Sequence, residues 1–363
     1  MIRILQLPGN LSKSNGRMTV LMNIYKKLDR SEVQFDFLAT LTTEENYIEE
    51  IKLLGGAVFF ITDSENSFKN VRQKMREVLS NKHYDVVHYH AISEWGAAID
   101  IPKRKKIKVI THSHATKLSD SILKSIRNRL FSLNIFFCSD RFAACSIQAG
   151  KKLFLGKKFT YVPNVVNLSK YIFNNKKRKT YRKLLKIDDN TLVIGNTGRL
   201  AKQKNQKYLL RILKKLLQEG IDAKLIIVGG GPLSNDLYNE SKNLGLINRT
   251  LLVGEVNNSN DYYSAMDVFL LPSLYEGLPM AGVEAQANGL PSIFSNTTSS
   301  QVNVFNAKFI ETNNNGLQKW ANQVVNFWKL GRDNCSNYHI RVSGFDANYG
   351  VSNWVKLYKE TIL

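Results

Sequence analysis

The stretch LPSLYEGLPMAGVEAQANGLPS, residues 271–292, predicts the end of a buried strand, a short loop, a helix and a stop. Pro279 suits a first helical turn, where the missing N–H is not needed, and Gly289 ends the helix. Glu276 lies in the loop, and Glu284 lies about one and a half turns into the helix. A helix N-terminus favours anions. Acidic groups beside it suit a ligand that carries hydroxyl groups and phosphate, such as a nucleotide sugar.

Strands alternate with helical patterns before this stretch and up to it. The first half contains the predicted strands MIRILQLPG, FDFLAT, AVFFIT, YDVVHYH, KIKVITHSH and RFAACS. The pattern restarts at Leu192 with LVIGNTG, AKLIIVGGG, TLLVG and DVFLLPS. Such alternation is typical of parallel sheets built from βαβ units. We therefore predict an α/β chain of two doubly wound, Rossmann-like domains.

The domain boundary is placed in a polar, basic and turn-rich segment, residues 160–190, which we interpret as a hinge. The first domain is predicted to span residues 1–168 and the second residues 169–345. The final helix, within residues 346–363, need not belong to the second domain. Ligands of open α/β sheets lie beyond the carboxyl ends of the strands, so we expect a polar cleft between the two domains.

Charge is distributed unevenly along the 363 residues, whose net charge is +21. Residues 1–186 contain 34 Lys and Arg against 15 Asp and Glu, whereas residues 187–363 contain 17 against 15. A basic half predicts an anionic partner: a membrane face, a polyanionic substrate or nucleic acid. A merely solvated surface is the alternative.

Features of other protein classes are missing from the sequence. No apolar stretch reaches the roughly 18 residues of a membrane span, and the N-terminus reads as a strand rather than a signal peptide. The three cysteines, Cys138, Cys145 and Cys335, have no CxxC spacing. We expect them to be buried packing residues in a reducing cytoplasm rather than disulfide or zinc ligands.

The run GRLAKQKNQ, residues 198–206, follows a strand and opens a helix. Arg199 and Lys204 there can reach one anion, although an exposed basic helix start would have the same sequence. A departing diphosphate needs its charge offset by a metal or by fixed cations. No Asp-x-Asp motif is present, so fixed cations are expected and no metal. The run GGGP, residues 229–232, indicates a tight turn or a weak phosphate signal.

Histidines gather at two neighbouring strand ends, in HYH and in THSHAT. Alternate residues of a strand point the same way, so a metal site, a structural cluster or contacts to substrate hydroxyls are all conceivable. We expect hydrogen bonds to substrate hydroxyls, and no metal, from the four histidines at these strand ends: His88, His90, His112 and His114. The small residues SNG, residues 14–16, would let a backbone approach phosphate.

Two further patterns have a functional and a simpler interpretation. Residues 117–137 predict a basic amphipathic helix, which could lie in a membrane interface or simply cover the sheet. Glu276 and Glu284 could form a glycosidase pair, but such carboxylates are generally mounted on separate elements that face one bond.

Several of these motifs together resemble the retaining glycosyltransferases of family 4, which have the GT-B fold. The resemblance lies in NTGRL with KN, IIVGGGPL, LLVGEV and LLPSLYEGLPMAGVEAQANGLP. In the first half, the Asn15–Gly16 loop, YDVVHYH, VITHSHAT, FAACSIQAGKKLF and VPNVVN are similar to bacterial exopolysaccharide and capsule glycosyltransferases. The resemblance covers essentially the whole chain. Its specific part is the pair of glutamates with the Arg–Lys pair.

The resemblance implies roles for individual residues. Arg199 and Lys204 would bind the donor diphosphate, and Glu276 would hold the hydroxyls of the donor sugar. Glu284 would hold the ribose hydroxyls, and His114, or alternatively His112, would touch the donor sugar near the reacting carbon. His88, His90 and His112 would lie on the acceptor and sugar side. The remaining donor contacts would come from six further residues, several of them through backbone N–H groups: Gly16, Gly254, Val256, Gly277, Leu278 and Met280. The final helix would pack back on the first domain.

The activity implied is transfer of a hexose or N-acetylhexosamine from a nucleotide sugar, of the UDP type, with retention and without a metal or other cofactor. The acceptor would be a glycan or a lipid-linked glycan, presented at an anionic membrane surface on the cytoplasmic side. The alternatives are a sugar-nucleotide epimerase or hydrolase on a similar fold, and a basic nucleic-acid-binding protein. The second lacks a recognisable nucleic-acid module.

Overall fold

The chain forms two compact units in a computed structural model that describes residues 1–13, 15–41, 45–62, 65, 67–90, 94–114, 134–256 and 258–363. The first unit comprises Met1–Val165 with Ala347–Leu363, and the second comprises Val166–Asp346. Each contains one parallel sheet connected through helices. The predicted class, two Rossmann-like α/β domains, is confirmed. The observed divisions after Val165 and Asp346 stand beside predicted ones after residues 168 and 345.

The first unit has a seven-stranded sheet in the order β3-β2-β1-β4-β5-β6-β7. Its strands are β1 (Ile2–Leu7), β2 (Val33–Thr40), β3 (Val58–Ile61), β4 (Val86–Tyr89), β5 (Lys108–Ser113), β6 (Arg141–Ala144) and β7 (Thr160–Tyr161). Its helices are α1 (Gly16–Tyr25), α2 (Ile48–Leu53), α3 (Phe68–Asn81), α4 (Asp100–Arg104), α5 (Ile147–Phe154) and the C-terminal α13 (Ala347–Ile362). The strand order reverses between β1 and β4, so loops diverge at that point.

The C-terminal helix α13 packs on α1 and on the strands β4 and β5 of the first unit. Trp354 and Tyr358 of this helix are fully buried. The Gln6 amide on β1 donates to the Tyr358 hydroxyl at 2.9 Å. The last segment of the chain thus completes the core of the first unit.

The second unit begins with α6 (Asn175–Leu184) and has a six-stranded sheet in the order β10-β9-β8-β11-β12-β13. The strands are β8 (Leu192–Thr197), β9 (Ala223–Val228), β10 (Thr250–Gly254), β11 (Val268–Leu271), β12 (Ser292–Ser295) and β13 (Lys308–Ile310). The helices are α7 (Lys207–Gln218), α8 (Ser234–Asn243), α9 (Ser259–Ala265), α10 (Met280–Ala287), α11 (Asn314–Leu330) and α12 (Ser336–Val342). The order reverses between β8 and β11.

The predicted hinge, residues 160–190, contains the division after Val165. It also contains β7 and helix α6. Arg178 and Arg182 both pair with Asp267, at 2.7 and 2.6 Å, and Arg182 is 2% exposed. A helix held by buried ion pairs shows no apolar stripe, so hydrophobic periodicity does not reveal it.

The division into units also corrects the expected charge asymmetry. Eight Lys and Arg of residues 166–186 fold with the second unit, and no Asp or Glu accompanies them. The first unit therefore has 28 Lys and Arg against 16 Asp and Glu, and the second has 23 against 14. Net charges of +12 and +9 make both units basic, so the charge does not single out the first.

Two further expectations bear on the surface. Cys145 is buried and Cys138 is half-buried, but Cys335 is exposed, so it is not a packing residue. Within the described ranges, no helix has the length and apolar character that a membrane crossing requires. Of the predicted basic helix, residues 117–137, the part from 117 to 133 lies outside the described residues.

Candidate functional site

Lys204 and Glu276 form an ion pair at the point where the second sheet reverses its order. The Lys204 Nζ atom lies 2.6 Å from Glu276 Oε1, and the side chains are 17% and 7% exposed. Lys204 follows β8 and Glu276 follows β11, which are adjacent strands. Parallel strands end at the same edge, which explains why residues far apart in sequence meet here. The structure thus joins two residues to which the sequence analysis assigned separate roles.

The two loops that carry this pair are fastened to each other. The Leu274 N–H donates to the Gln203 carbonyl at 2.8 Å, and the Gln203 amide donates to the Tyr275 carbonyl at 3.0 Å. Asn205 adopts a left-handed conformation, with φ of 53°, and its amide donates to the Pro272 carbonyl at 3.1 Å. Asn tolerates this conformation better than most residues. These bonds hold the charged pair in a fixed position.

Arg199 lies on the same loop as Lys204 but is exposed, and no described residue pairs with its guanidinium. The loop is shaped by close backbone contacts with the turn after β9. A Cβ at Gly229 would lie 2.2 Å from the Gly198 carbonyl oxygen, and one at Gly231 would lie 2.5 Å from that of Leu200. The run of glycines is therefore a tight turn, the simpler of its two interpretations. It leaves Arg199 available for an anion.

The loop after β11 leads directly into helix α10. Gly277 and Leu278 are buried, whereas Met280, the first helical residue, is half-buried. Pro279 has φ of −71° and precedes the first turn. Backbone N–H groups at a helix start can bind an anion. The loop therefore combines N–H donors with the acidic Glu276.

Glu284 is held by two tyrosines. The Tyr263 hydroxyl donates to Glu284 Oε2 at 2.8 Å, and Tyr171 also hydrogen-bonds this carboxylate. Burial nevertheless raises the pKa of Glu284, and these hydrogen bonds and Lys204 oppose that shift. Burial likewise raises the pKa of Tyr263 well above its usual value, with Glu284 adding to the effect. The carboxylate is a pre-oriented acceptor that suits hydroxyl groups.

Two predicted donor contacts lie at the end of β10. Gly254 has φ of 81°, and no atom of the described residues lies within 4 Å of the position of an added Cβ. Val256 is half-buried. This segment is separate from the bonded network of Glu276 and Glu284, and the structure gives no contact that assigns it a ligand.

In the first unit, Gly16 is the first residue of α1 and is exposed. Asn15 caps the helix by accepting from the Arg17 N–H, and its amide donates to Asn10 Oδ1 at 2.8 Å. Among the described residues, an added Cβ at Gly16 would meet no atom within 4 Å. The capping role accounts for an asparagine at this position. Gly16 leaves open space beside the helix start.

The histidine cluster lies at the ends of β4 and β5 and is covered by α13. His88, His90 and His112 are at most 2% exposed. His88 Nδ1 lies 2.9 Å from the Tyr358 hydroxyl, and the rings of all three lie within 6 Å of the Trp354 ring. Burial lowers the pKa of each of them, that of His112 to about 3. The expectation that these three contact acceptor or sugar hydroxyls is wrong for this arrangement, because other side chains enclose them.

His114 differs from these three because it is only half-buried. Its Nε2 lies 2.9 Å from His90 Nδ1, and its Nδ1 lies 3.2 Å from Asn164 Oδ1. His90 Nε2 in turn lies 2.7 Å from Gln6 Oε1. Burial, followed by the neighbouring His112 and Arg17, lowers the pKa of His114. The buried histidines thus position the one that remains accessible, and a direct role for His114 stays a prediction.

Ring nitrogens of His88, His90 and His112 lie within 4.8 Å of one another. A tetrahedral zinc with bonds of about 2.1 Å needs nitrogens roughly 3.4 Å apart. The His88 and His112 rings are stacked, 5.4 Å apart at an interplanar angle of 9°, rather than converging. The donor set therefore does not fit a metal ion, and metal independence stays a prediction.

Several contributing residues escaped the sequence analysis. Tyr263 and Tyr171 orient Glu284, Gln203 and Asn205 fix the loops, and Arg17 donates to the His90 carbonyl at 3.2 Å. The only local sequence signal is Asn205, just before α7, because asparagine adopts the left-handed conformation more readily than most residues. The tyrosines act across elements, so no spacing in the sequence identifies them.

Two family models match the chain. Residues 14–170 match Glycosyltransferase Family 4, and residues 177–328 match Glycosyl transferases group 1. Among curated relatives, EpsF of Bacillus subtilis (strain 168), described as a glycosyltransferase, is 30% identical over 310 residues, covering 83% of this chain and 80% of EpsF. The Escherichia coli UDP-Gal:alpha-D-GlcNAc-diphosphoundecaprenol alpha-1,3-galactosyltransferase is 33% identical over 265 residues, covering 69% of this chain and 67% of that protein.

Among solved structures, Anabaena HepE in complex with UDP and glucose has a TM-score of 0.80, at 16% identity, with 99% of this chain and 100% of that one covered. This likeness concerns the fold. The sequence matches concern the family and extend over both units. The chain therefore belongs to glycosyltransferase family 4, and it is a glycosyltransferase of the GT-B fold.

Proposed function

We propose that the protein transfers a hexose or N-acetylhexosamine from a UDP-sugar to a glycan or lipid-linked acceptor, with retention at the anomeric carbon. The product serves cell-surface polysaccharide biosynthesis. The observation that carries this proposal is the Lys204–Glu276 pair at the sheet reversal, on whose loop Arg199 is exposed and pairs with none of the described side chains. The pair supports the proposal because a cation suits a diphosphate and a carboxylate suits sugar hydroxyls.

The donor assignment has support from two sides. The HepE structure holds UDP and glucose, and the E. coli relative is named for UDP-galactose as donor. In this chain, Glu284 with its two tyrosines suits the ribose hydroxyls, because an oriented carboxylate accepts two such bonds. Gly254 and Val256 contact the base in this proposal, and Gly277, Leu278 and Met280 provide backbone contacts around the sugar and phosphate.

The proposed step needs no protein nucleophile. The bond between the anomeric carbon and the β-phosphate oxygen breaks, and the leaving diphosphate takes both bonding electrons. Arg199 and Lys204 stabilise the diphosphate while Glu276 holds the sugar. The acceptor oxygen attacks the same face of the anomeric carbon, and its proton passes to the departing phosphate oxygen. Fixed cations that act on the developing charge are an effective source of rate enhancement.

Acceptor and location form the outer part of the proposal. The E. coli relative is named for a diphosphoundecaprenol-linked acceptor. A similar acceptor places this enzyme at the cytoplasmic face of a membrane, attached peripherally through its basic surface. His114 and Gly16 lie on the unit that receives the acceptor, with His114 nearest the reacting carbon.

The test combines a panel of nucleotide sugars with a lipid-linked acceptor. Binding of the donor should raise the melting temperature, and NMR of the product should show the anomeric configuration of the donor. Activity should persist in the presence of a chelator. Conversion of the nucleotide sugar without any acceptor would instead indicate an epimerase or hydrolase, and an inverted product or loss of activity with chelator would contradict the mechanism.

A further inference from the structure

A continuous stretch of the chain, residues 141–187, contains 13 Lys and Arg and no Asp or Glu. Part of it forms β6, α5 and β7 of the first unit. Among the cations of this part, Lys151, Lys152, Lys157 and Lys158 are exposed. No described carboxylate pairs with any of these four ammonium groups. We call their surface, together with Ile147 and Leu155, the α5 surface.

Packing fixes which side of α5 faces solvent. Ala149, Gly150 and Phe154 are buried, and a Cβ at Gly150 would lie 2.4 Å from the Phe159 ring. Lys151 and the C-cap Leu155 lie on the side that faces solvent, and Ile147, which is 38% exposed, lies at the boundary between this side and the buried one. The solvent-facing side of α5 therefore presents cations and apolar groups together.

Leu155 is the most informative residue of the α5 surface. Its side chain is 66% exposed, and its backbone is left-handed, with φ of 45°. Glycine or asparagine usually occupies this position after a helix, because a side chain with a Cβ is strained there. Packing within the unit explains neither the exposure nor the strain. An apolar group presented in this way suits insertion into a partner.

An open groove adjoins the leucine. It has a volume of about 690 Å³ and is lined by Lys151, Gly156, Lys157, Lys158 and Phe159. Three ammonium groups around one groove suit a phosphate-bearing head group. The charge selects an anionic partner, and the leucine selects one with an apolar layer beneath the charge.

We propose that the α5 surface docks the enzyme on anionic phospholipid, with Leu155 entering the interface and the lysines contacting lipid phosphates. Binding of single-stranded nucleic acid uses aromatic stacking platforms within a basic groove. The α5 surface presents aliphatic groups, Ile147 and Leu155, which favours lipid. The inference rests on the proposed function because it supplies the contact that a lipid-linked acceptor requires.

Binding of the full chain to vesicles tests the proposal without any transfer reaction. Vesicles of phosphatidylcholine with one quarter phosphatidylglycerol should recover the protein, and pure phosphatidylcholine vesicles should not. Each lysine near an anionic bilayer contributes about fivefold, so the double variant Lys157→Ala/Lys158→Ala should bind about thirtyfold more weakly. The matched control is Lys105→Ala/Lys106→Ala, a second exposed lysine pair on a turn of the same unit. It should bind nearly as well as the natural chain.

Leu155→Gly separates docking from folding. Relief of the left-handed strain should raise the melting temperature, while loss of the apolar contact should weaken vesicle binding about tenfold. A structural role would change both quantities in the same direction. A third variant, Lys176→Ala/Lys179→Ala/Lys183→Ala, removes the exposed lysines of α6 in the second unit.

Four outcomes would overturn the proposal. They are equal recovery with neutral vesicles, equal losses in the matched control, a larger loss in the α6 variant, or salt-sensitive RNA binding at the α5 surface without vesicle binding. Transfer to a soluble acceptor analogue should be unchanged in the Leu155 and lysine variants. Failure of docking would leave that transfer intact, whereas failure of the proposed function would leave vesicle binding intact.

Discussion

The two sheets end in polar residues at the same kind of edge, but the edges differ in what covers them. In the first unit, helix α13 covers the ends of β4 and β5, and His88, His90 and His112 become neutral parts of a core. In the second unit, the loops after β8 and β11 carry Lys204 and Glu276, which form an ion pair at 2.6 Å and are not covered by a helix of this kind in the described part of the chain. A shared fold therefore places polar groups at an edge, and the covering element decides whether they can serve a ligand.

A fall in pH should produce the largest difference in stability between the two units. The folded-state pKa of each of the three buried histidines is lowered, so the unfolded chain binds protons that the folded chain does not. The contribution of these histidines to the free energy of unfolding is fully present above about pH 6.5, and it is lost as the pH falls below that value. The loss should be about 2 kcal/mol per histidine by pH 5. Hydrogen exchange should show the first unit opening before the second. Simultaneous opening of both units would contradict a buried, neutral cluster.

Removal of the acidic group at the second edge should have the next largest effect. Glu276→Ala should lower kcat/KM by about 100- to 1,000-fold, because contacts that strengthen in the transition state are lost. The control Glu240→Gln removes a charge from the same unit at a loose surface pair, 3.9 Å from Lys207, and should change little. Near-normal transfer by the Ala variant would show that the ion pair is only structural.

Glu284 tests the same difference between the two units, because it is a carboxylate at the edge of the second sheet whose ionisation is opposed by burial. The pKa of Glu284 is raised in the folded state. Its ionisation therefore opposes folding once the pH exceeds the pKa of the same group in the unfolded chain. Glu284→Gln should therefore raise the melting temperature at pH 8 by a few degrees, at about 2–4 °C per kcal/mol, and not at pH 4. It should also weaken UDP binding about tenfold. An unchanged affinity would remove Glu284 from the ribose site.

The smallest effect is expected inside the histidine cluster. The His112 ring makes only a weak hydrogen bond with the Val162 backbone, whereas His88 Nδ1 lies 2.9 Å from the Tyr358 hydroxyl. His112→Leu should change the free energy of unfolding by less than about 1 kcal/mol, and His88→Leu should cost about 1–3 kcal/mol. Donor affinity should be the same in both variants. A loss of donor binding in either would return the cluster to the active site.

Much of the architecture is predictable from residue patterns. Alternating strands and helices predict two parallel sheets, and the glutamate stretch with Arg199 and Lys204 predicts the family. The patterns do not predict α6, because Arg178 and Arg182 bury charge against Asp267 rather than an apolar stripe. They also do not show that residues 166–186 fold with the second unit, which removes most of the charge asymmetry.

The sequence by itself determined the fold class, the positions of both glutamates and the family. These depend on local periodicity, on helix and turn residues, and on short motifs, all of which are readable along the chain. Only the tertiary structure decided that Lys204 pairs with Glu276, that two tyrosines hold Glu284, and that three histidines are enclosed. Each of these depends on elements distant in sequence that meet at a sheet edge. Burial there sets pKa and access, and no spacing along the chain records it.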